Sequence, residues 1–260
     1  MSKLPMVFVG HGSPMNTLEH NRYTDAWTQF ARQIERPSAI LAISAHWFVN
    51  ASLVTAMSAP RTIHDFYGFP QELFDVQYPA SGSSELANRV VELVKPGRVG
   101  LDRDSWGIDH GTWSVLAHMY PRADVPVVQL SIDASRPVEH HLGLGAQIAG
   151  LRDEGVLILA SGNIVHNLRL VEWHEPDAGF EWAHRFDEAA RAVMTSDPAA
   201  AGALVDEPDY AISAPTPDHF LPLLYLAGAA AATSERARVL VEGFSMGALS
   251  MTSYVVGDVS

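Results

Sequence analysis

Short runs of apolar residues recur along the chain, separated by stretches in which apolar residues return every three or four positions. The short runs are rich in β-branched residues, which is typical of strands buried on both faces of a sheet. They predict strands over residues 6–9, 39–44, 52–57, 125–132, 156–160, 238–242 and 250–256.

The longer stretches have the period of an amphipathic helix. One repeats its apolar residues at positions 27, 30, 31 and 34, and another ends just before Pro96, which cannot continue a helix. The pattern predicts helices over residues 23–34, 84–94, 112–119, 138–151, 180–194 and 220–230.

Strands that alternate with helices imply an α/β protein whose largely parallel sheet is covered on both faces. The last two predicted strands are joined through the residues SMGAL, and we expect them to pair antiparallel at one edge. The chain has no internal repeat, and its 260 residues suit one large α/β domain.

The charge balance argues against some partners. The formal net charge is −13 and no run of basic residues occurs. Nucleic acids and anionic membrane surfaces are bound by clustered Lys and Arg, so we expect neither as a partner. The chain has no cysteine, which excludes disulfides, iron–sulfur clusters and thiol nucleophiles and leaves His, Asp and Glu to hold any metal.

The apolar runs are too short to cross a bilayer, which takes about 18 or more consecutive apolar residues. The N-terminal residues MSKLPMVFVGHG lack the apolar core and cleavage site of a signal peptide. We therefore expect a cytoplasmic protein without a membrane span.

Four histidines stand where predicted elements begin or end. His11 and His46 follow apolar strand runs, His166 follows the run GVLILASGN, and His219 precedes a helix that Asp218 is placed to cap. Ligands of an open α/β sheet bind outside the carboxyl ends of its strands. Several histidines at such positions favour a metal site.

His110 lies just before a predicted helix and is a further candidate, as is His64. The remaining histidines lie in or beside helical stretches. We expect five of them to face solvent, and one, His118, to be a core or surface residue; the five are His20, His140, His141, His174 and His184.

A second catalytic pattern is present but lacks its context. Residues 243–247, GFSMG, match the G-x-S-x-G nucleophile elbow of serine hydrolases. A strand rather than a helix is predicted after Ser245, and no histidine follows it in the chain. The sequence therefore disfavours a serine hydrolase.

The segment 57–80 is rich in proline, glycine and aromatic residues and has no clean periodicity. Long loops in compact domains often form lids or binding walls, although a surface loop with a small core of its own fits equally well. Among its residues, five are suited to lining a flat aromatic pocket: His64, Phe66, Tyr67, Phe69 and Tyr78.

A set of motifs spread from Val7 to Val256 resembles the 4,5-DOPA extradiol dioxygenase-like family, within the class III extradiol ring-cleaving dioxygenases of the LigB-like superfamily. Each motif is weak alone, but their order and spacing make the set specific. The motifs are GHGSPMN, SAHW, TIHDFYGFP, YPASGS, WGIDHGTWSVL, PVVQLSID, SGNIVHNL, PTPDHFLPLLY and GALSMTSY.

The resemblance implies a single catalytic domain over residues 1–260, with a three-layer α/β/α fold and one divalent metal. By motif position His11, His46 and His219 correspond to the metal ligands. His166 corresponds to the catalytic base, close enough to the metal to act as a fourth ligand, and His110 corresponds to a residue facing oxygen or substrate.

The same resemblance implies that a small catecholic substrate, such as DOPA, is cleaved with O2, and it assigns His64 and Tyr67 to the pocket wall. The protein is expected to be a monomer or a homodimer. Neither the identity of the catechol nor the bond cleaved follows from the motifs.

The chain departs from one common pattern of the superfamily. Many class III enzymes hold Fe(II) with two histidines and a glutamate, whereas the third position here is His219. Three neutral histidines also suit Zn(II), so we expect Fe(II) for catalysis and Zn(II) as a metal the isolated protein can carry. A zinc-dependent hydrolase or lyase, and a non-catalytic metal-binding protein, remain alternatives on the same site.

Overall fold

A computed structural model describes residues 3–175 and 177–259 of the chain. Apolar runs form much of its strands, and three of the longer strands, over residues 6–10, 127–133 and 156–162, are buried at every position. In chain order the strands are β1 Met6–Gly10, β2 Ala39–Val49, β3 Leu53–Thr55, β4 Arg61–Thr62, β5 Gly100–Asp102, β6 Gly107–Ile108, β7 Val127–Asp133, β8 Val156–Gly162, β9 Ala237–Val241, β10 Phe244–Ser245, β11 Leu249–Ser250 and β12 Ser253–Val256.

Every predicted helix is present, with bounds that differ by a few residues. The helices are α1 Arg22–Gln33, α2 Gln71–Phe74, α3 Ser84–Leu93, α4 His110–Met119, α5 Val138–Ile148, α6 Glu181–Ser196, α7 Tyr210–Ser213 and α8 Leu221–Ala232. Three further segments are 3₁₀ helices, Pro14–Thr17, Ala149–Glu154 and Pro198–Asp206. Within the described ranges, none of the helices combines the length and apolarity needed to span a membrane.

Eight strands form one sheet in the order β5-β3-β7-β2-β8-β1-β12-β9. The four central strands, β7, β2, β8 and β1, run parallel. β12 and β9 pair antiparallel at one edge, which confirms the expectation for the last two strands of the chain. The carboxyl ends of the central strands therefore meet at one edge of the sheet.

Alternate side chains of β1 enter two separate cores. Met6 and Phe8 belong to the core beneath α3, α5, α6 and α8, whereas Val7 and Val9 belong to the core beneath α1 and α4. A strand buried on both faces in this way needs helices on both sides. The three-layer α/β/α fold with a mostly parallel mixed sheet is thereby confirmed.

Strand β2 is longer than predicted and contains His46. The apolar run stops at Ser44, where pairing with β8 also stops, but the backbone continues to Val49 beside β7. Its register against β7 shifts between Ile43 and Phe48. His46 therefore lies within the strand, in an irregular part of it, and not beyond its end. Such irregularities change the direction in which local side chains point.

Two predictions about helix starts also change. His110 is the first residue of α4 and does not precede it; the Asp109 side chain caps this helix by accepting a hydrogen bond from the backbone N–H of Thr112 at 3.2 Å. The expectation that Asp218 caps the following helix is wrong. α8 has Phe220 at its N-cap position and no side-chain cap, and Asp218 contacts His219 instead.

The prediction that His141 faces solvent is wrong. Its exposed fraction is 0%, and its Nδ1 lies 3.0 Å from the hydroxyl of Tyr225. α5 packs closely on α8, and this contact covers the histidine. His20, His174 and His184 are exposed as predicted, and His140 is half-buried.

A buried carboxylate supports the chain next to β1. Asp187 on α6 accepts hydrogen bonds from the hydroxyls of Ser250 and Thr252, between β11 and β12. The Ser250 carbonyl accepts a hydrogen bond from the amide of Asn163, whose oxygen in turn accepts one from the backbone N–H of Gly12. This network links α6 to the loops that leave β1 and β8.

Candidate active site

Five histidine rings meet at the carboxyl edge of the central strands. The ring centroids of His46 and His110 are 3.9 Å apart, those of His11 and His46 5.1 Å, and those of His11 and His219 5.3 Å. His166 joins the group by stacking on His219. The structure thus brings together all five histidines predicted for the metal and for catalysis, although they come from distant parts of the chain.

Two glycines allow the elements around these rings to approach closely. A Cβ atom on Gly111 would lie 2.6 Å from the Ser44 hydroxyl and 2.7 Å from a carbon of the His46 ring. A Cβ atom on Gly162 would lie 2.2 Å from the carbonyl oxygen of His219. All three distances are shorter than those of real Cβ contacts, so a side chain at either glycine position would displace the neighbouring histidine.

The hydrogen bonds of Ser161 assign the tautomer of His11. The Ser161 hydroxyl donates its single proton to the Gly111 carbonyl at 2.5 Å. Its oxygen also lies 2.9 Å from His11 Nδ1, where it can only accept. His11 therefore carries its proton on Nδ1, and the lone pair of its Nε2 faces the centre of the cluster.

Asp65 assigns the tautomers of two more rings. Its Oδ1 lies 2.8 Å from His110 Nδ1 and its Oδ2 lies 3.1 Å from His46 Nδ1. An ionised carboxylate only accepts hydrogen bonds, so both rings carry a proton on Nδ1. Their Nε2 atoms are left as the nitrogens available to a ligand.

His219 follows the same rule, because its Nδ1 contacts the carboxylate of Asp218. His166 differs from the other four rings. Among the described residues no group hydrogen-bonds to its ring nitrogens; it lies parallel to His219 with ring centroids 3.5 Å apart. It is half-buried and thus partly open to an incoming molecule.

The donor set fits a divalent metal. His11 Nε2 and His46 Nε2 lie 3.2 Å apart. Two nitrogens that bind one ion at about 2.1 Å, with angles from tetrahedral to octahedral, lie roughly 3.0–3.4 Å apart. With Nδ1 of both rings already protonated, this pair presents two facing lone pairs, an arrangement that a cation between them stabilises.

His110 belongs with His11 and His46 to a group of closely spaced potential metal ligands. One ring nitrogen from each of His11, His46 and His110 falls within a common span of 4.8 Å. His219, which the motifs assign as the third ligand, has its ring centroid 5.0 Å from that of His46. Both rings border the space in front of the His11–His46 pair.

Burial and mutual repulsion keep most of these rings neutral. Burial and the neighbouring His46 hold the pKa of His11 well below its ordinary value, and burial together with His166 does the same for His219. Burial lowers the pKa of His166 to about 4. At neutral pH these three imidazoles can bind a metal or accept a proton.

Asp65 contributes to a raised pKa at His46. Burial lowers the pKa of His46, but the hydrogen bond to Asp65 and the charges of Asp109, Asp65 and Asp218 together outweigh it, and the net shift is upward. Burial also opposes ionisation of Asp65, yet hydrogen bonds from His110 and His46 hold the pKa of this carboxyl well below its usual range. Asp65 is therefore an anion within a cluster of nitrogen ligands.

The two residues predicted for the pocket wall occupy different environments. His64 packs among aromatic rings, 5.5 Å from Trp113 between centroids, and its Nε2 lies 2.8 Å from the carbonyl oxygen of Val76. Tyr67 is 92% exposed. Phe66, which the sequence groups with them in the aromatic segment 57–80, packs edge-on against His110 at 5.4 Å.

Sequence reasoning missed the residues that orient the rings. Asp65 and Ser161 stand inside the motifs TIHDFYGFP and LASGN, but neither was marked, because their partners are distant in the sequence. A single acidic residue beside a candidate histidine in a loop is the signal that points to Asp65. For Ser161 the signal is a small polar residue at the end of a buried strand.

Comparison with known proteins places this geometry in a family. The family described as "Catalytic LigB subunit of aromatic ring-opening dioxygenase" matches residues 5–257. A protein of Escherichia coli K12 named "4,5-DOPA dioxygenase extradiol" is 50% identical, with 98% of this chain and 96% of that protein covered. A protein of Beta vulgaris with the same name is 34% identical, with 95% and 94% covered.

The fold is also similar to a solved structure. A crystal structure of an uncharacterised protein from Escherichia coli K12 superposes with a TM-score of 0.85 and 45% sequence identity. The match covers 98% of this chain and 100% of that one.

Proposed function

The chain belongs to the family of catalytic LigB subunits of aromatic ring-opening dioxygenases and is an extradiol dioxygenase, and from this premise we propose that it opens the ring of a catechol with O2 at a divalent metal held by histidines. Both oxygen atoms enter the single organic product, a ring-opened semialdehyde. The observation that carries the proposal is the pair of facing Nε2 atoms of His11 and His46, 3.2 Å apart.

The proposed ligands are His11, His46 and His219, with His166 able to add a fourth nitrogen. When bound, Fe(II) would hold both diol oxygens and supply the redox chemistry that O2 needs, whereas Zn(II) has no redox chemistry. All three ligands are anchored through Nδ1, so each presents its Nε2 without having to choose a tautomer.

His166 is proposed as the base that removes a proton from the diol. Its low pKa keeps the imidazole neutral at pH 7, and no protein group among the described residues occupies its ring nitrogens. A general base must reach the proton that it removes, and the stack on His219 places His166 directly beside a proposed ligand.

His110 is proposed to take up a proton on Nε2 and return it to the oxygen or substrate. Its Nδ1–H is engaged by Asp65, so its Nε2 is the atom that faces the reacting groups. The position of Phe66 against this ring puts an aromatic wall where a flat substrate would lie. The relatives named for 4,5-DOPA cleavage support a catechol of the DOPA type as the substrate.

The test is anaerobic reconstitution of the metal-free protein with Fe(II) or Zn(II), followed by O2 and a panel of DOPA, protocatechuate and catechol. Oxygen uptake and the absorbance of a yellow semialdehyde are recorded together. We expect product only with Fe(II), with one O2 consumed per ring opened.

Two results would overturn the proposal. One is tight Fe(II) binding with no product from any catechol of the panel. The other is turnover with Zn(II) in the absence of O2, which would indicate a zinc-dependent hydrolase or lyase. His140→Ala serves as a control, because this histidine lies on α5, outside the cluster.

A further inference from the structure

One carboxylate is shared by two histidines with different proposed roles. Asp65 accepts three hydrogen bonds: from His46 Nδ1 at 3.1 Å, and from His110 Nδ1 at 2.8 Å and backbone N–H at 3.1 Å. The carboxylate is largely shielded from solvent, with a side-chain exposure of 18%. Its two oxygens thus hold two rings whose centroids are 3.9 Å apart.

We propose that Asp65 is a positioning residue for ring opening: it locks a metal ligand, His46, and a proton carrier, His110, as one unit whose Nε2 atoms both face the metal. The inference rests on the proposed function for the roles of the two rings. The orientation itself follows from hydrogen bonding alone, since a carboxylate can accept but cannot donate.

The same residue supplies charge that the ligands lack. His11, His46 and His219 are neutral ligands, so a bound divalent metal would keep its full positive charge in the ligand shell. Asp65 places an anion one imidazole ring away from the metal position. A carboxylate hydrogen-bonded to a ligating histidine raises the basicity of that ligand, and losing such a partner typically costs about 10–100-fold in metal affinity.

Asp65 also ties the substrate-facing loop to the metal site. The backbone N–H of Ile63 donates to the Ile108 carbonyl at 2.8 Å, and the indole of Trp113 donates to the Ile63 carbonyl at 2.8 Å. The loop is thereby fixed to the start of α4 just before Asp65, and Phe66 follows it against His110. The aromatic wall and the ligand orientation are set by the same short segment.

Asp65→Asn tests the proposal with almost no change in shape. An asparagine has one accepting oxygen and one donating nitrogen, so it can accept from only one of the two Nδ1–H groups. The oxygen is expected to stay on the side where His110 presents two donors, its Nδ1–H and its backbone N–H, so His46 is the ring driven to carry its proton on Nε2, where it blocks metal binding. Asp75→Asn is the matched control, because Asp75 lies on the same loop and is exposed.

The first measurement is Zn(II) affinity by competition with a chelator, together with the absorption spectrum of the Co(II) form. We expect Asp65→Asn to bind Zn(II) about 10–100-fold more weakly and to show an altered Co(II) spectrum, with Asp75→Asn unchanged. Asp65→Glu, which keeps the carboxylate, should recover part of the affinity. Wild-type affinity and spectrum in Asp65→Asn would overturn the proposal.

The second measurement is ¹⁵N NMR of histidine-labelled wild-type protein, with the signals of His46 and His110 assigned by single substitutions. We expect both rings to carry the proton on Nδ1, and a Nε2–H tautomer in either would contradict the proposal even if Asp65→Asn failed to fold. Neither measurement depends on turnover. Wild-type protein without ring-opening activity would therefore overturn the proposed function while leaving the tautomer result to decide on Asp65.

Discussion

The imidazole of His166 lies face to face with that of His219, with ring centroids 3.5 Å apart and planes inclined by 3°. This stack fixes the ring of His166 without using either of its nitrogens. A base held by its face, and not by its edge, keeps both ring nitrogens available for proton transfer.

Two substitutions of His166 separate its stacking on His219 from its proposed action as a base. His166→Phe keeps a flat ring for the stack but removes the base, and His166→Ala removes both. We expect both variants to retain substantial metal and to lose about 10²–10⁴-fold in kcat, the usual range for a general base. Metal content by mass spectrometry and kcat by oxygen uptake check this. An active His166→Phe enzyme would refute the base assignment.

The third metal ligand can be decided by comparing two variants. The motifs assign His219, whereas the group of three ring nitrogens within 4.8 Å of one another contains His110. We expect His219→Ala to lose most of the bound metal, and His110→Ala to keep metal but lose turnover. Metal content after dialysis against a weak chelator measures the difference. The reverse pattern would make His110 the ligand and His219 the residue that supports the base.

Two neighbouring aromatic residues should respond differently to substitution. Phe66 packs against His110, but Tyr67 is 92% exposed. We expect Phe66→Ala to raise KM for the catechol about tenfold or more, since it removes an aromatic wall worth about 1–2 kcal/mol. Tyr67→Ala should change KM less than twofold. Steady-state kinetics with a saturating O2 concentration test both values, and a large effect at Tyr67 would indicate that the loop closes over the substrate.

Asp187 gives the protein a dependence of stability on pH. Burial raises the pKa of this carboxyl to about 6, and the hydrogen bonds from Ser250 and Thr252 only partly oppose the shift. The folded protein therefore binds a proton more tightly than the unfolded chain does. The free energy of unfolding falls as pH rises through about 4 to 6, by up to roughly 3 kcal/mol from this group.

Asp187→Asn removes that dependence. Urea unfolding between about pH 4 and pH 8 should show that the free energy of unfolding of the variant rises relative to that of the wild type as pH increases. The reason is that the asparagine amide is never ionised. Glu188→Gln is the control, since Glu188 is exposed on the same helix and pairs with Arg191. Parallel stability curves for Asp187→Asn and wild type would contradict the raised pKa.

The elements that were predicted correctly are those whose pattern is local. The strand at residues 6–9 is an uninterrupted apolar run, and the helix at residues 23–34 has a clear apolar face, so both appear within a residue of their predicted bounds. The two-sided core follows from the same runs. Alternate residues of a fully apolar strand must each find a covering layer.

The errors arise where distant contacts override the local pattern. His46 interrupts an apolar run, but pairing with β7 continues the strand beyond it. Asp218 has the residue type of a helix cap, but it is used by His219. His141 lies in a polar stretch, yet the packing of α5 on α8 buries it. For His46 and His141 the deciding partner lies on another element, whereas Asp218 is engaged by the next residue in the chain.

The candidate site also divides into residues that local sequence patterns predict and residues that depend on distant contacts. The five histidines could be found from residue type and position at element ends, but the groups that set their tautomers could not. Ser161 and Asp65 reach His11 and His46 only because the sheet brings their elements together. No local rule pairs a loop carboxylate with two rings on two other elements.

The position of β1 in the sheet has a consequence for synthesis of the protein. β1 hydrogen-bonds to β8 and β12 alone, and both are made long after it. At roughly 5–20 residues per second, the apolar N-terminal strand waits on the order of 10 s at the ribosome for its first partner. His11 is the first of the proposed ligands to emerge and His219 the last, so a metal held by all of them could be bound only after synthesis has passed His219.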